Sequence, residues 1–383
     1  MSEALQLLGG LTVEQFLADY WQKQPLLVRG AFPGFQSPLS ADELAGLACE
    51  AEVESRLVLE KHGPAPWTVE HGPFDESRFA SLPGTHWTLL VQGVDSWVPE
   101  VASLIEPFRF IPDWRIDDIM MSYAPEHGSV GPHLDQYDVF LIQTQGHRHW
   151  QINTRQYDMG DCIPGISLNI LQGFEAEQAW TLAPGDMLYL PPNIAHYGVA
   201  QDDCITCSVG FRAPARSEIL GSFIDDLLPR LDETERYQDQ DLTRQQNPGE
   251  ISAQALARIR DIVRLKELDN QYINHWFARY ITEPKYQADY ETATMTRDTL
   301  LKTLDSHEII YRDAQSRFAY ISEASDCFLF VNGEEFPCDC EFAQFICQAK
   351  QYPSQALASF MSTDNRELVL HLFNHHRLLT TNE

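Results

Sequence analysis

Three side chains of ligand type stand out by spacing. GPHLDQYDVF (131–140) carries His133 and Asp135, and LAPGDMLYLPPNIAH (182–196) ends on His196. In an extended chain, residues two apart point to one side, so His133 and Asp135 at the start of a strand can reach one ion. The Pro-Gly-Asp turn, the apolar run MLYL and the Pro-Pro kink are expected to bring His196 back to the same barrel mouth. Two imidazoles and one carboxylate on one face, with other positions open, suit non-haem Fe(II), which must also bind a cosubstrate and O2. A bare His-x-Asp is common by chance. The strand context and the later Pro-Pro…His are what make this one specific.

A second feature narrows the chemistry. In GHRHWQI, Arg148, Trp150 and Ile152 share one strand face, while His147 and His149 point the other way. An Arg among apolar neighbours is costly unless paired, and its planar guanidinium matches a carboxylate bidentately. Arg148 is therefore the candidate for the far carboxylate of 2-oxoglutarate, with a protein carboxylate as the alternative partner. Ser122, in MMSYAPEHG, could add a hydroxyl to the same group. In ITCSVGF, Thr206 and Ser208 fall on one face, directed into a polar pocket or to solvent. Tyr137 shares the face of His133 and Asp135, where it lines the substrate pocket or packs the barrel. Asp138 alternates to the opposite face and is a weaker ligand candidate.

The elements that must position these residues change character along the chain. Residues 1–100 mix helical patterns with turns: TVEQFLADYW (12–21) opens with a Thr-x-x-Gln capping box, and Ser40 with Glu43 begins a second short helix. From about 116 to 213, strands such as VFLIQTQ, WQINT, DMLYLP and ITCSVGF alternate with Gly-, Pro- and Asp-rich loops, the pattern of an antiparallel sandwich or barrel. Beyond Pro214 the pattern is helical: SEILGSFIDDLLPRL, a polar loop (YQDQDLTRQQNPGE), then the long segment 252–281. That segment has a face to bury against a partner helix or a second subunit. From about 295, helices at 296–304, 341–350 and 365–377 surround strands in EIIYR, RFAYI and CFLFV and the turn Asn332-Gly333, suggesting a small winged-helix-like unit.

Composition limits the partners. Asp and Glu number 56 against 27 Lys and Arg, a net charge of −29. Nucleic acid is held by clustered cations, so direct nucleic-acid binding is disfavoured. The C-terminal unit, with 7 Lys or Arg against 13 Asp or Glu over 295–383, has the wrong sign for reading a DNA groove. The acidity either steers a basic protein partner toward the chain or simply keeps it soluble. No secretory signal opens the chain, and no apolar run comes near the roughly 18 residues of a membrane helix. Eight dilute cysteines suit reduced thiols in a cytoplasm, with Cys204-x-x-Cys207 and Cys338-x-Cys340 incidental as metal motifs and His375 and His376 in capping roles.

GPHLDQYDVFLIQTQGHRHWQI, GDMLYLPPNIAH and SVGFRAP together resemble the bacterial JmjC-type ribosomal oxygenases. These are 2-oxoglutarate-dependent hydroxylases related to the Myc-induced and nucleolar ribosomal oxygenases of eukaryotes. The resemblance implies a mainly β fold with α elements: a double-stranded β-helix of the cupin and JmjC jelly-roll type with N-terminal helices (1–215), a helical dimerisation region (216–290) and a winged-helix-like α+β domain (291–383). It implies Fe(II) on His133, Asp135 and His196, with 2-oxoglutarate and O2 as cosubstrates and Arg148 and Ser122 on the 2-oxoglutarate. It further implies a cytoplasmic homodimer that hydroxylates an arginine β-carbon in large-subunit ribosomal protein L sixteen. One departure is the loop APEHGSVG, where a more Gly-rich run is expected. Three other readings stay open: a demethylase or a hydroxylase of another residue or ribosomal protein (for example histidine), a cupin-like metalloenzyme that does not use 2-oxoglutarate, and an inactive ribosome-binding module.

Overall fold

The computed structural model describes residues 3–60, 67–157, 159–164, 168–232, 234–244, 250–264, 268–285, 294–324 and 326–381. The chain divides into two compact units, Met1–Ala213 and Pro214–Glu383.

The first unit has the strands β1 (Leu26–Val28), β2 (Ser55–Glu60), β3 (Trp67–His71), β4 (Trp87–Val91), β5 (Ile116–Ala124) and β6 (Val139–Gln145). It continues with β7 (Arg148–Asn153), β8 (Gln178–Leu182), β9 (Met187–Leu190), β10 (Ala195–Ala200) and β11 (Cys204–Phe211). Its helices are α1 (Val13–Asp19), α2 (Ala41–Leu47), α3 (Glu76–Ala80) and α4 (Pro99–Ala102). The strands form an eight-stranded sheet in the order β1-β9-β6-β11-β5-β4-β2-β3 and a three-stranded sheet β10-β7-β8, antiparallel throughout. Residues 1–100, expected as helices and turns, thus also contribute four strands. Both expected capping boxes form, at Thr12 with Gln15 and at Ser40 with Glu43.

Alternation along the strands separates two cores. Ile119, Met121, Phe140, Ile142, Tyr189 and Val209 turn to the outer face of the large sheet, where Phe16 of α1 and Leu44 of α2 cover them. Val139, Leu141, Leu188 and Leu190 turn inward and meet Trp150, Ile152 and Leu182 of the small sheet. The inner faces of the two sheets meet there. Gly198 is required there: a Cβ would come within 2.7 Å of the Trp150 ring, closer than carbon contacts allow.

The start of β6 differs from the expectation. His133 and Asp135 lie in the segment before the strand, which begins only at Val139. Gly131 has φ +80°, and the following Pro132 has no N–H, so regular strand pairing cannot run through this stretch. Asp138, facing away from the site, anchors the strand instead. It is fully buried and accepts hydrogen bonds from Gln22 Nε2 (2.9 Å) and Tyr189 Oη (2.6 Å), with Arg115 Nη2 at 3.5 Å.

The second unit contains α5 (Arg216–Leu227), α6 (Ala253–Val263), α7 (Asn270–Thr282), α8 (Arg297–Ser306), β12 (Ile309–Arg312), β13 (Phe318–Glu323), β14 (Asp326–Val331) and β15 (Glu334–Cys338). Then follow α9 (Cys340–Gln348), β16 (Gln351–Pro353), α10 (Ser354–Ser359), α11 (Thr363–Asn374) and β17 (Leu378–Leu379). The long segment 252–281 is two helices: α6 ends at Arg264, and Asp269 caps α7 by accepting from Gln271 N. Residues 265–267 lie outside the described residues, as does the expected domain boundary at 290 and 291. Helix α7 packs on the β13–β15 sheet, where His275 Nδ1 and Arg279 Nη1 each reach Glu335 at 2.8 Å. Asn332 and Gly333 both take positive φ (50° and 84°), which matches the tight hairpin turn read from their sequence.

The cysteines need one correction. Cys327 and Cys340 form a disulfide, so the expectation of reduced thiols fails for that pair. Cys327 lies opposite Cys338 in the β14–β15 register, and α9 begins two residues later, which brings Cys340 over β14. Cys204 and Cys207 are both buried but on opposite faces of β11, Cys207 within the outer core, so they are not a metal pair. No helix among the described residues is long and apolar enough to cross a membrane.

Candidate metal centre

His133 and His196 are joined through their backbones. His133 N donates to His196 O and His196 N to His133 O, both at 3.0 Å, an isolated antiparallel bridge. Such a pair places its side chains on one face, and the ring centroids are 4.2 Å apart. Asp135 is held beside them by Asn193 N, which donates to its carbonyl at 2.8 Å. One ligand atom from each of the three falls within 4.8 Å of the others.

The protons on the imidazoles are fixed by partners that can only accept. Nδ1 of His133 donates to Gly131 O and Nδ1 of His196 to Ile194 O, each at 2.9 Å. An imidazole whose proton sits on Nδ1 has a bare lone pair at Nε2 to offer a metal. Burial, reinforced by the neighbouring His133, holds the His196 pKa down to about 4, so it is neutral at physiological pH. Nε2 of His196 then faces Asp135 Oδ2 across 3.5 Å, acceptor to acceptor. A cation between them satisfies both, and two nitrogens with one carboxylate oxygen suit a divalent transition metal. Tyr137 is 42% exposed, and burial together with the nearby Asp135 charge raises its pKa above the ordinary tyrosine value.

Arg148, 3% exposed, lies on β7 four residues before Ile152, the register partner of His196. Burial pulls its pKa below the ordinary arginine value. Among the described residues no carboxylate pairs with it. Nη1 makes long contacts to Ser122 Oγ (3.3 Å) and Thr206 Oγ1 (3.4 Å), and Nε has no partner. The guanidinium carbon lies 5.4 Å from the Trp150 ring centroid. A buried guanidinium without a counter-ion is expensive, so the surroundings of Arg148 are complementary to an anion, a carboxylate above all. Trp150 and Ile152 lie on the Arg148 face as expected. His147 bonds Asp202 and His149 bonds Thr181, on the other side.

Ser122 and Thr206 are thus brought to Arg148. Ser208 is also buried on the inner face of β11, in register with Met120 and Leu141, nearer the metal-ligand end. Two polar groups were not singled out from sequence. Gln143 is fully buried on the inner face of β6, with Thr206 Oγ1 donating to its Oε1 at 3.1 Å. Asp118, 6% exposed, accepts from Gln92 Nε2 at 2.8 and 2.9 Å and adds its charge to that felt by Tyr137. The available signal was a polar residue at an inward position of an apolar strand, as with Val139, Leu141 and Gln143.

Comparison with known proteins agrees with this geometry. Residues 103–219 match the JmjC domain family, and 264–378 match the ROXA-like winged helix family. The ribosomal protein uL16 3-hydroxylase of Escherichia coli (strain K12) is 38% identical over 324 residues, 84% of each chain. A probable ribosomal oxygenase of Haemophilus influenzae is 42% identical over 55% of this chain and 52% of that one. The X-ray structure of E. coli YcfD superposes with a TM-score of 0.86 at 32% identity, covering 99% of this chain and 100% of that one. The complex of YcfD, a ribosomal oxygenase, with cobalt and 2-oxoglutarate gives 0.82 at 32% identity, over 96% and 97% of the two chains.

Proposed function

Because the chain belongs to the JmjC-domain ribosomal oxygenases, we propose that it is an Fe(II)- and 2-oxoglutarate-dependent hydroxylase of a ribosomal protein. Its substrate in this reading is the β-carbon of an arginine in uL16. The observation that carries the reading is Arg148, buried and with no carboxylate partner among the described residues, on the strand that pairs with the one carrying His196. A dicarboxylic keto acid answers both: its keto acid group to the metal, its far carboxylate to Arg148.

The bound iron, with 2-oxoglutarate and O2, supplies the oxidising power that converts a C–H bond to C–OH. The chain's own residues provide the rest. His133 Nε2, Asp135 and His196 Nε2 would hold the metal, and the carbonyls of Gly131 and Ile194 keep the imidazoles aimed. Tyr137 stands close enough to Asp135 to feel its charge and lines the approach to the ligands. Arg148 binds the far carboxylate with Ser122 and Thr206 around it, while Ser208 lines the path between. Trp150, Ile152 and Leu188 exclude water, which strengthens each of these charge interactions. Asp118 offers a buried negative charge for a substrate guanidinium near Tyr137. The net charge of −29 favours approach of a basic ribosomal protein.

The test is incubation with Fe(II), 2-oxoglutarate and an arginine-containing uL16 peptide, followed by mass spectrometry. The expected product is the peptide with one added oxygen atom and an equal amount of succinate. Formaldehyde released from a methylated peptide, with no stable oxygenated product, would replace this reading with demethylation.

The helices within 216–290 are assigned to a homodimer, and the winged-helix unit to partner docking or dimer support rather than nucleic acid. On α6 none of the described residues is buried: Leu256, Ile259, Ile262 and Val263 are 44–72% exposed at helical spacing. An apolar stripe of this kind is covered in water, and a second copy of the chain presents its match. Light scattering after gel filtration should give a dimer mass for the wild type and a monomer mass for Ile259→Asp/Val263→Asp. A monomeric wild type at micromolar concentration would end the dimer assignment. We place the reaction in the cytoplasm, where ribosomal proteins are made.

A further inference from the structure

Gln143 lies where β6 and β11 slip in register. Ile205 pairs with Gln145 but Thr206 pairs with Gln143, so Thr144 bulges between them. A bulge interrupts the ladder and re-aims the neighbouring side chain. Here the Gln143 amide turns onto two carbonyls, with Nε2 donating to Gln145 O at 2.8 Å and to Ile205 O at 3.2 Å. Carbonyls only accept, so both amide hydrogens are committed and the amide cannot be turned over. Oε1 is therefore the atom that faces Thr206, and the Thr206 hydroxyl must donate to it (3.1 Å). With its proton so placed, Thr206 Oγ1 turns a lone pair to Arg148 Nη1 (3.4 Å). Nη2 keeps no protein acceptor among the described residues.

We propose that Gln143 is a positioning residue of the cosubstrate pocket: through Thr206 it sets the direction of the Arg148 guanidinium. One edge of the guanidinium is tied to the wall by two hydroxyl oxygens whose own protons point elsewhere, that of Thr206 to Gln143 Oε1 and that of Ser122 to Thr206 O, and the remaining N–H groups stay free for a dicarboxylate. Without Gln143, the Thr206 hydroxyl can rotate its proton toward the guanidinium, and Arg148 loses a fixed acceptor. This inference rests on the assignment of Arg148 to 2-oxoglutarate.

The experiment is anaerobic calorimetric titration of 2-oxoglutarate into the Mn(II)-loaded protein, so that affinity is read without turnover. Gln143→Met is expected to weaken binding about tenfold, the effect of one displaced hydrogen bond to a charged group. Its Mn(II) affinity should equal that of the wild type. Thr206→Val should weaken 2-oxoglutarate by a similar factor, and the double variant no further than Thr206→Val alone, because the amide acts through the hydroxyl. Multiplying losses in the double variant, or wild-type affinity in Gln143→Met, would overturn the proposal. Should Gln143→Met not fold, Thr206→Ser restores the hydroxyl and should recover the affinity lost in Thr206→Val; no recovery overturns the relay. A wild type that binds Mn(II) but no 2-oxoglutarate refutes the proposed function itself, a different and recognisable result.

Discussion

Replacing His133 with alanine is expected to abolish hydroxylation while leaving the protein folded. The variant loses one of three ligands, and the remaining His196 and Asp135 present a nitrogen and an oxygen only 3.5 Å apart. Loss of a group that merely orients a ligand costs about 10–100-fold in metal affinity, so loss of the ligand itself should cost about 100-fold or more. The fold should persist because His133 is tied to His196 by peptide groups, which the substitution leaves in place. Calorimetric titration of Fe(II) or Mn(II), with circular dichroism as the control, checks both halves. A His133→Ala protein that binds metal and turns over like the wild type would remove His133 from the ligand set.

Arg148→Met should separate binding from stability. In the free protein Arg148 is 3% exposed, has no carboxylate partner among the described residues and leaves Nε without a partner. Methionine fills similar space without the charge, so the ligand-free variant should be more stable, by about 1–3 kcal/mol on the scale of buried charges replaced by apolar groups. Affinity for 2-oxoglutarate should move the other way. Two charge-assisted hydrogen bonds are lost, at about 1.5–3 kcal/mol each, which corresponds to a weakening of about 100-fold or more. Thermal unfolding and titration on the same preparation give the two signs. A variant that is both less stable and unchanged in 2-oxoglutarate affinity would show that Arg148 serves the fold and not the cosubstrate.

Much of the site was legible because strands alternate. Arg148, Trp150 and Ile152 were assigned to the interior on that basis alone, and the three are buried together. The convergence of His133 with His196 also followed, though by a route the pattern did not contain. The expected strand through His-x-Asp is a bridge outside the strand, because Gly131 and Pro132 depart from extended pairing. Gln143 escaped notice for a related reason: alternation places it inward, but the bulge at Thr144 that gives its amide two carbonyls is a tertiary event. Asp138 was correctly turned away from the metal, yet its partners Gln22 and Tyr189 are far off in sequence. The capping boxes at Thr12 and Ser40 were readable because a cap is satisfied within four residues. The Cys327–Cys340 bond was not, since it depends on where α9 starts relative to β14.

The bridge between His133 and His196 has a consequence for measurement. Each amide hydrogen is held by the other residue's carbonyl, so neither exchanges with solvent until the contact opens. The two deuterium-uptake curves should therefore run together and count the same event. Residues from distant parts of the sequence become a single clock, timing how often the mouth of the barrel comes apart.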